Sequence, residues 1–195
     1  MKDLQVRADI DILKVPCDLV DVRFTSMKGR QHTITRQTIK PNGRIRNMVS
    51  NRKPEDIIKA LESGEGCKVS GNFFVHFLSN SFYIGYGNPF LLTQLMMEMK
   101  HFKYDLSHRI NHLSFGSDSE HKSLAAEYGL QGFNTLDGHS QIEPENTTKE
   151  VPVHHSYYIT TIPSVFDYSF VSLETFQYTA SHYSKPSSSS GIVFQ

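Results

Sequence analysis

The stretch Leu4-Gln5-Val6-Arg7-Ala8-Asp9-Ile10-Asp11-Ile12 alternates apolar and polar residues without a break. Successive side chains on an extended strand point to opposite faces, so this period of two makes one face apolar and the other wet. A helix would scatter the same apolar residues around its axis. The chain therefore opens with a half-buried β-strand, and a second layer must cover its apolar face.

The style continues beyond Pro16, where Val20, Val22 and Phe24 repeat the alternation and the Gly-containing "MKGRQHTIT" turns into another β-prone run. These segments read as the opening of a β-meander. "PEDIIKALESG" over 54–64 breaks the style and reads as a helix. Pro54 suits the first turn, Glu55 and Asp56 favour the positive end of the dipole, Ile57, Ile58 and Leu61 form a stripe, and Gly64 is a stop. "CKVSGNFFVHFLSNSFYIGYG" reads as a hairpin turning near Ser79-Asn80, with Val69, Gly71, Phe73, Val75 and Phe77 on one face. "NPFLLTQLMMEMKHF" reads as a second helix with Asn88 as N-cap and Pro89 at its first position. Its Leu and Met side chains are expected to pack over a sheet face, with a partner-binding surface as the other reading.

Residues 117–155 are polar and read as loop around one or two short strands. "HSYYITTIPSVFDY" and "LETFQYTASHY" return to strand before a flexible "SKPSSSSG". The sum is a mainly β protein: an antiparallel two-sheet β-sandwich with one or two short helices, and a single domain over 1–195.

Composition limits the partners. Twenty Lys and Arg balance twenty Asp and Glu, so the formal net charge is zero and no broad attraction to nucleic acid or anionic lipid follows. Hydrophobic residues make up 38%, with 13 Phe and 9 Tyr, enough to build a core. No run reaches the roughly 18 to 20 apolar residues that span a bilayer, and "MKDLQVRADIDI" is not a secretory signal. The chain reads as water-soluble, as would a lumenal or extracellular piece of a membrane protein.

Catalytic signatures are missing: there is no G-x-S-x-G elbow, no Gly-rich phosphate loop and no carboxylate pair on an evident scaffold, so the chain reads as a non-enzyme. His108 and His112, four apart in "DLSHRINHLSFG", would grip zinc from a helix. The alternation of His108, Ile110 and His112 marks a strand instead, and there the two imidazoles share a face about 13 Å apart at about 3.3 Å per residue. No metal and no cofactor is assigned. The alternative to a protein-binding sandwich is a lectin-like one that holds carbohydrate, although most aromatic residues alternate inward.

Cys17 and Cys67 are the only cysteines. In an oxidising compartment they form a disulfide, in a reducing one they stay as two buried thiols, and no C-x-x-C redox pair exists. A bridge closing about 50 residues would contribute about 4 kcal/mol in the chain-entropy model. Asn146-Thr147-Thr148 is the sole N-x-[ST] sequon and lies in a polar stretch suited to a solvated glycan. Ten histidines on a chain of zero formal charge would give it positive charge as pH falls, unless most are simply solvated.

Several blocks together resemble one family. "DLSHRINHLSFG", with His108, Leu113, Ser114, Phe115 and Gly116, is similar to the signature strand of the ERGIC/Erv family of cargo receptors that cycle between endoplasmic reticulum and Golgi. "VPCDLVDV" resembles its early cysteine strand, "GEGCKVSGNFFV" its Gly-Cys-x-x-x-Gly strand, "YYITTIPSVF" its aromatic strand, and "FQYTASHY" with "GIVFQ" its last strands. The blocks fall in family order over nearly the whole chain.

The resemblance implies a lumenal domain cut from between two transmembrane helices, with cytosolic tails that engage vesicle coats. It implies a Cys17–Cys67 disulfide, a partner receptor subunit of the same family in a hetero-oligomer, lumenal protein cargo, and residence in endoplasmic reticulum, intermediate-compartment and Golgi membranes. Two departures limit it. The cysteine-rich insertion of one branch is absent before "GEGC", and Ser81-Phe82-Tyr83 stands where relatives often show Asn-Phe-His.

Overall fold

The computed structural model describes residues 3–25, 33–49, 51–76, 81–99, 102–117, 135–143, 152–168 and 171–195. The alternating opening segment is strand β1 (Asp3–Ile12), and it occupies an interior position of a six-stranded sheet, sheet A. The other strands of that sheet are β3 (Thr33–Ile39), β4 (Ile45–Asn47), β5 (Gly66–His76), β7 (His108–Phe115) and β8 (Ser140–Gln141). Their order is β4-β3-β5-β1-β7-β8, every ladder antiparallel. Sheet B holds β2 (Val20–Phe24), β6 (Phe82–Tyr86), β9 (Val153–Tyr168), β10 (Val171–Pro186) and β11 (Gly191–Phe194), ordered β10-β9-β11-β6-β2. The architecture is the expected mainly β, two-sheet sandwich. One ladder departs from the antiparallel rule, since β11 runs parallel to β9.

Two local expectations are corrected by the partition into sheets. β1, β2 and β3 alternate between layers instead of forming a meander. Likewise β5 and β6 do not pair as a hairpin, because β5 sits between β1 and β3 while β6 sits between β2 and β11. Period two tells which face of each strand is buried, and it is satisfied equally by a neighbour in the same sheet or by a facing layer. The segment 187–190, read as flexible, is a turn feeding β11, and Ser190 is buried with its hydroxyl donating to the Val153 carbonyl at 3.1 Å.

The inward residues of β1, Leu4 through Ile12, are all buried and face the interior residues of sheet B. Ring contacts run through the core from Phe24 to Phe73 (4.8 Å), Phe82 (5.0 Å), Phe194 (4.3 Å) and Tyr157 (4.9 Å). Burying each such ring contributes roughly 1.5–3 kcal/mol, and the edge-to-face contacts of Phe73 and the stacked ones of Phe194 add to this.

Both helices lie where the sequence placed them. Helix α1 (Pro54–Glu62) buries Ile57 and Ala60 and ends before Gly64, whose φ of 73° is a left-handed value that only glycine adopts without strain. Helix α2 (Pro89–Glu98) is capped by the Asn88 side chain, which accepts a hydrogen bond from the Leu91 N–H at 3.1 Å. It buries Leu95 but leaves Phe90 and Met97 more than four-fifths exposed, so only part of its apolar surface packs on the body.

A 3-10 turn (Cys17–Leu19) joins β1 to β2, and the Cys17–Cys67 disulfide ties it to the start of β5. Beside it, Arg52 pairs with Asp18 and Glu65, and Lys40 reaches Glu65 at 2.5 Å. Burial pushes the Glu65 carboxyl up, but Arg52 and Lys40 outweigh it and hold the group below the usual carboxylate range. Among the described residues no helix is long and apolar enough to cross a membrane.

Candidate functional site

The signature segment forms β7, hydrogen-bonded to β1 on one side and to β8 on the other. Its register against β1 shifts between Asp9 and Ile10: Asp9 faces His112 and Ile10 faces Ile110, leaving Asn111 as a bulge residue. The bulge inverts the alternation. His108 and Ile110 point inward, and after Asn111 the inward positions become Leu113 and Phe115. His108 and His112 therefore lie on opposite faces of the sheet, correcting the expectation that they share one. The sequence carried the signal, since the alternation breaks before Leu113.

Asp137 pins the bulge. Its Oδ1 accepts from the Leu113 N–H at 2.8 Å and its Oδ2 lies 2.8 Å from His112 Nδ1, while His112 Nε2 lies 2.9 Å from the Ser114 hydroxyl. Asn111 donates to Asp9 at 3.3 Å. Gly116 closes the strand at φ 98°, left-handed backbone suited to glycine, and its N–H bonds the Gln5 carbonyl at 2.8 Å.

On the inner face His108 is fully buried. Its Nδ1 lies 2.7 Å from the Leu106 carbonyl, so that nitrogen carries the proton, and its Nε2 accepts from the Tyr157 hydroxyl at 2.7 Å. Around it gather His155 at 5.2 Å between ring centroids, and His182, which stacks on Tyr157 at 4.5 Å. His155 is buried between the Ser184 hydroxyl at 2.9 Å and Glu143 Oε1 at 3.4 Å. The Glu143 N–H in turn donates to the Ser107 hydroxyl at 2.9 Å.

Burial holds His108 down to about 3, against help from the Leu106 carbonyl and with a further push from His155, His182 and His139. Burial and the same neighbours, His155 and His139, hold His182 down to about 4. Burial raises the Tyr157 phenol. Burial thus keeps His108 and His182 neutral, and the cluster forms a polar plug joining β7 of one sheet to β9 and β10 of the other. Of the ten histidines, His108 and His155 are buried and His182 is half-buried. His155 and His182 were missed in the sequence, although His155 shares its phase with the inward Tyr157 and His182 pairs with Tyr157 across the β9–β10 ladder.

The outer face of sheet A is different in kind. There β3, β5 and β1 set Thr33 beside Asn72 beside Arg7, and one row further Thr35 beside Ser70 beside Asp9. These side chains border a shallow concavity of about 330 Å³. Lys68 Nζ lies 2.7 Å from Asp9 Oδ1 on the same face.

Of the residues expected to matter, Cys17 and Cys67 are joined; His108, Leu113 and Phe115 lie in the core; Ser114 is buried under His112; and Gly116 turns the chain. Asn146 lies outside the described residues.

The chain is a disulfide-bonded sandwich with a polar plug inside and a polar face outside. A family model described as endoplasmic reticulum vesicle transporter matches residues 30–192. The chain belongs to this family, a family of transport proteins. It is 27% identical over 126 residues to endoplasmic reticulum-Golgi intermediate compartment protein 2 of Macaca fascicularis and to that of Homo sapiens, a match that covers 60% of this chain and 28% of each relative. The matched stretch thus spans little more than a quarter of those relatives' length. The crystal structure of Erv41p superposes with a TM-score of 0.60 at 18% identity, covering 100% of this chain and 89% of that chain, and supports the fold.

Proposed function

We propose that residues 1–195 form the lumenal domain of a membrane cargo receptor that cycles between endoplasmic reticulum and Golgi in coated vesicles. In this reading the domain binds lumenal protein cargo, a partner receptor subunit of the same family, or both. Transmembrane helices on either side and cytosolic tails that meet the vesicle coat belong to the longer protein. It is a binding function without catalysis, and Asn146 carries a glycan.

The observation that carries the reading is the family match over residues 30–192. The topology supports it. β1 starts beside His76, β11 ends beside Phe82, and His76 and Phe82 are joined by a short connection, so the first and last strands reach the same end of the sandwich. A domain held at both ends by helices in one membrane needs that arrangement.

The test is a pull-down of the full-length protein from detergent-solubilised membranes, with bound proteins identified by mass spectrometry. Co-isolation of a family partner and secretory-pathway residents supports the reading. Recovery of the protein alone, at a yield that retains a control receptor with its own cargo, refutes it.

A further inference from the structure

The concavity on the outer face of sheet A has a donor and acceptor pattern that neither the core nor the signature strand explains. Thr33, Thr35, Ser70 and Asn72 contribute three hydroxyls and an amide, and Arg7 and Asp9 add a fixed donor and a fixed acceptor. We propose that this face binds neutral hexose units of a glycan, so that the receptor grasps cargo through its carbohydrate. The inference rests on the receptor reading above and names the chemistry it recognises.

Three features select that occupant. First, β5 and β1 are each hydrogen-bonded to strands on both sides, so no peptide can add to the sheet here and recognition must come from side chains. Second, charge on the face is mixed: Arg7, Lys68 and Arg109 are interleaved with Asp9 and Asp11, and the Lys68–Asp9 pair at 2.7 Å is closed within the protein. An ionic ligand would meet repulsion along with attraction, whereas a neutral ligand meets none. Third, the lining side chains that reach solvent are polar, which disfavours an acyl chain or an apolar peptide anchor.

A sugar hydroxyl both donates and accepts, as can the Thr33 and Ser70 hydroxyls; the Thr35 hydroxyl donates to the Ser70 carbonyl at 3.1 Å and offers its oxygen as an acceptor, and the Asn72 amide offers the two functions separately. Neighbouring strands lie roughly 5 Å apart, close to the breadth of one pyranose ring, so adjacent hydroxyls of a hexose can meet side chains of adjacent strands. Phe74 follows Asn72 on the same face of β5 and is only partly buried, placing a ring beside the groove for the apolar face of a sugar. Asn111 holds Asp9 by its amide at 3.3 Å, so the acceptor is oriented before a ligand arrives.

The experiment is a glycan array probed with the 195-residue chain, followed by titration calorimetry with the best neutral oligosaccharide. Binding at ~1 mM or tighter, unchanged by EDTA, is expected. Asn72→Ala and Thr35→Ala should each weaken it at least about tenfold without moving Tm, and Ser181→Ala on sheet B should leave it unchanged. Retention of no neutral glycan, retention of sialylated or sulfated glycans only, or equal binding by N72A and T35A overturns the proposal. A second arm removes N-glycans enzymatically from the membrane extract before the full-length pull-down. Selective loss of glycoprotein cargo supports the glycan site. Undiminished cargo recovery overturns it and leaves the receptor reading standing.

Discussion

Acidification should weaken this domain through His108, and the size of the effect follows from its surroundings. The buried, neutral imidazole donates to Leu106 and accepts from Tyr157, and burial holds it to about 3 against an ordinary value of 6.5. Because the folded value lies below the unfolded one, the unfolded chain binds the proton first. The contribution is complete above 6.5 and is lost progressively as pH falls toward 3. Between pH 7.4 and pH 5.0 this one group removes about 2 kcal/mol, and over the narrower span from 7.2 to 6.0 it removes about 0.7 kcal/mol. His182 shifts in the same direction, so the total loss exceeds that of His108 alone.

The measurement is urea unfolding at the two pH values for wild type and His108→Gln, whose side-chain carbonyl can still accept from Tyr157 and does not titrate. The variant should start about 1–3 kcal/mol less stable at neutral pH and show a pH-dependent loss smaller than wild type by about 2 kcal/mol. Parallel curves for the two proteins, with equal losses on acidification, would refute the reasoning. In the folded domain His108 and His182 stay neutral between pH 7.2 and 6.0, so any response of cargo binding in that range must come from other groups.

Three further outcomes are expected. Replacing both cysteines, Cys17→Ser with Cys67→Ser, should cost about 4 kcal/mol by denaturant titration, since the bridge closes a 50-residue separation. Leu113→Ala, which empties a fully buried position on the phase-inverted half of β7, should cost about 2–5 kcal/mol in the same assay. Asp137→Ala removes the acceptor of the Leu113 N–H and should cost about 1–3 kcal/mol; Asp137→Asn, which keeps a carbonyl oxygen there, should recover part of that.

What could be read beforehand was whatever one strand or helix encodes within itself. The phase of β1, the Asn88 cap with Pro89 behind it, and the Gly64 stop after α1 are local signals, and each stands in the structure. Sheet membership is not local. Val69 and Phe73 on β5 and Ile84 on β6 are buried whether these strands pair or face each other across the core, so the hairpin reading and the actual crossover predict the same pattern. The cysteine count favoured a Cys17–Cys67 disulfide only for an oxidising compartment, and that compartment entered through family resemblance. The histidine plug was hidden for a related reason. His108, His155 and His182 come from three strands, and only the packed sheets bring them together.

The parallel insertion of β11 between β9 and β6 has a consequence for biosynthesis. Residues 191–194 are the seam that joins the β9–β10 half of sheet B to the β6–β2 half. A ribosome delivers those residues after every other strand, so until then the nascent layer is two separate ribbons with unpaired edges facing each other. Sheet B can therefore close only once residues 191–194 are made, and until then its open ribbon edges are what chaperones have to shield.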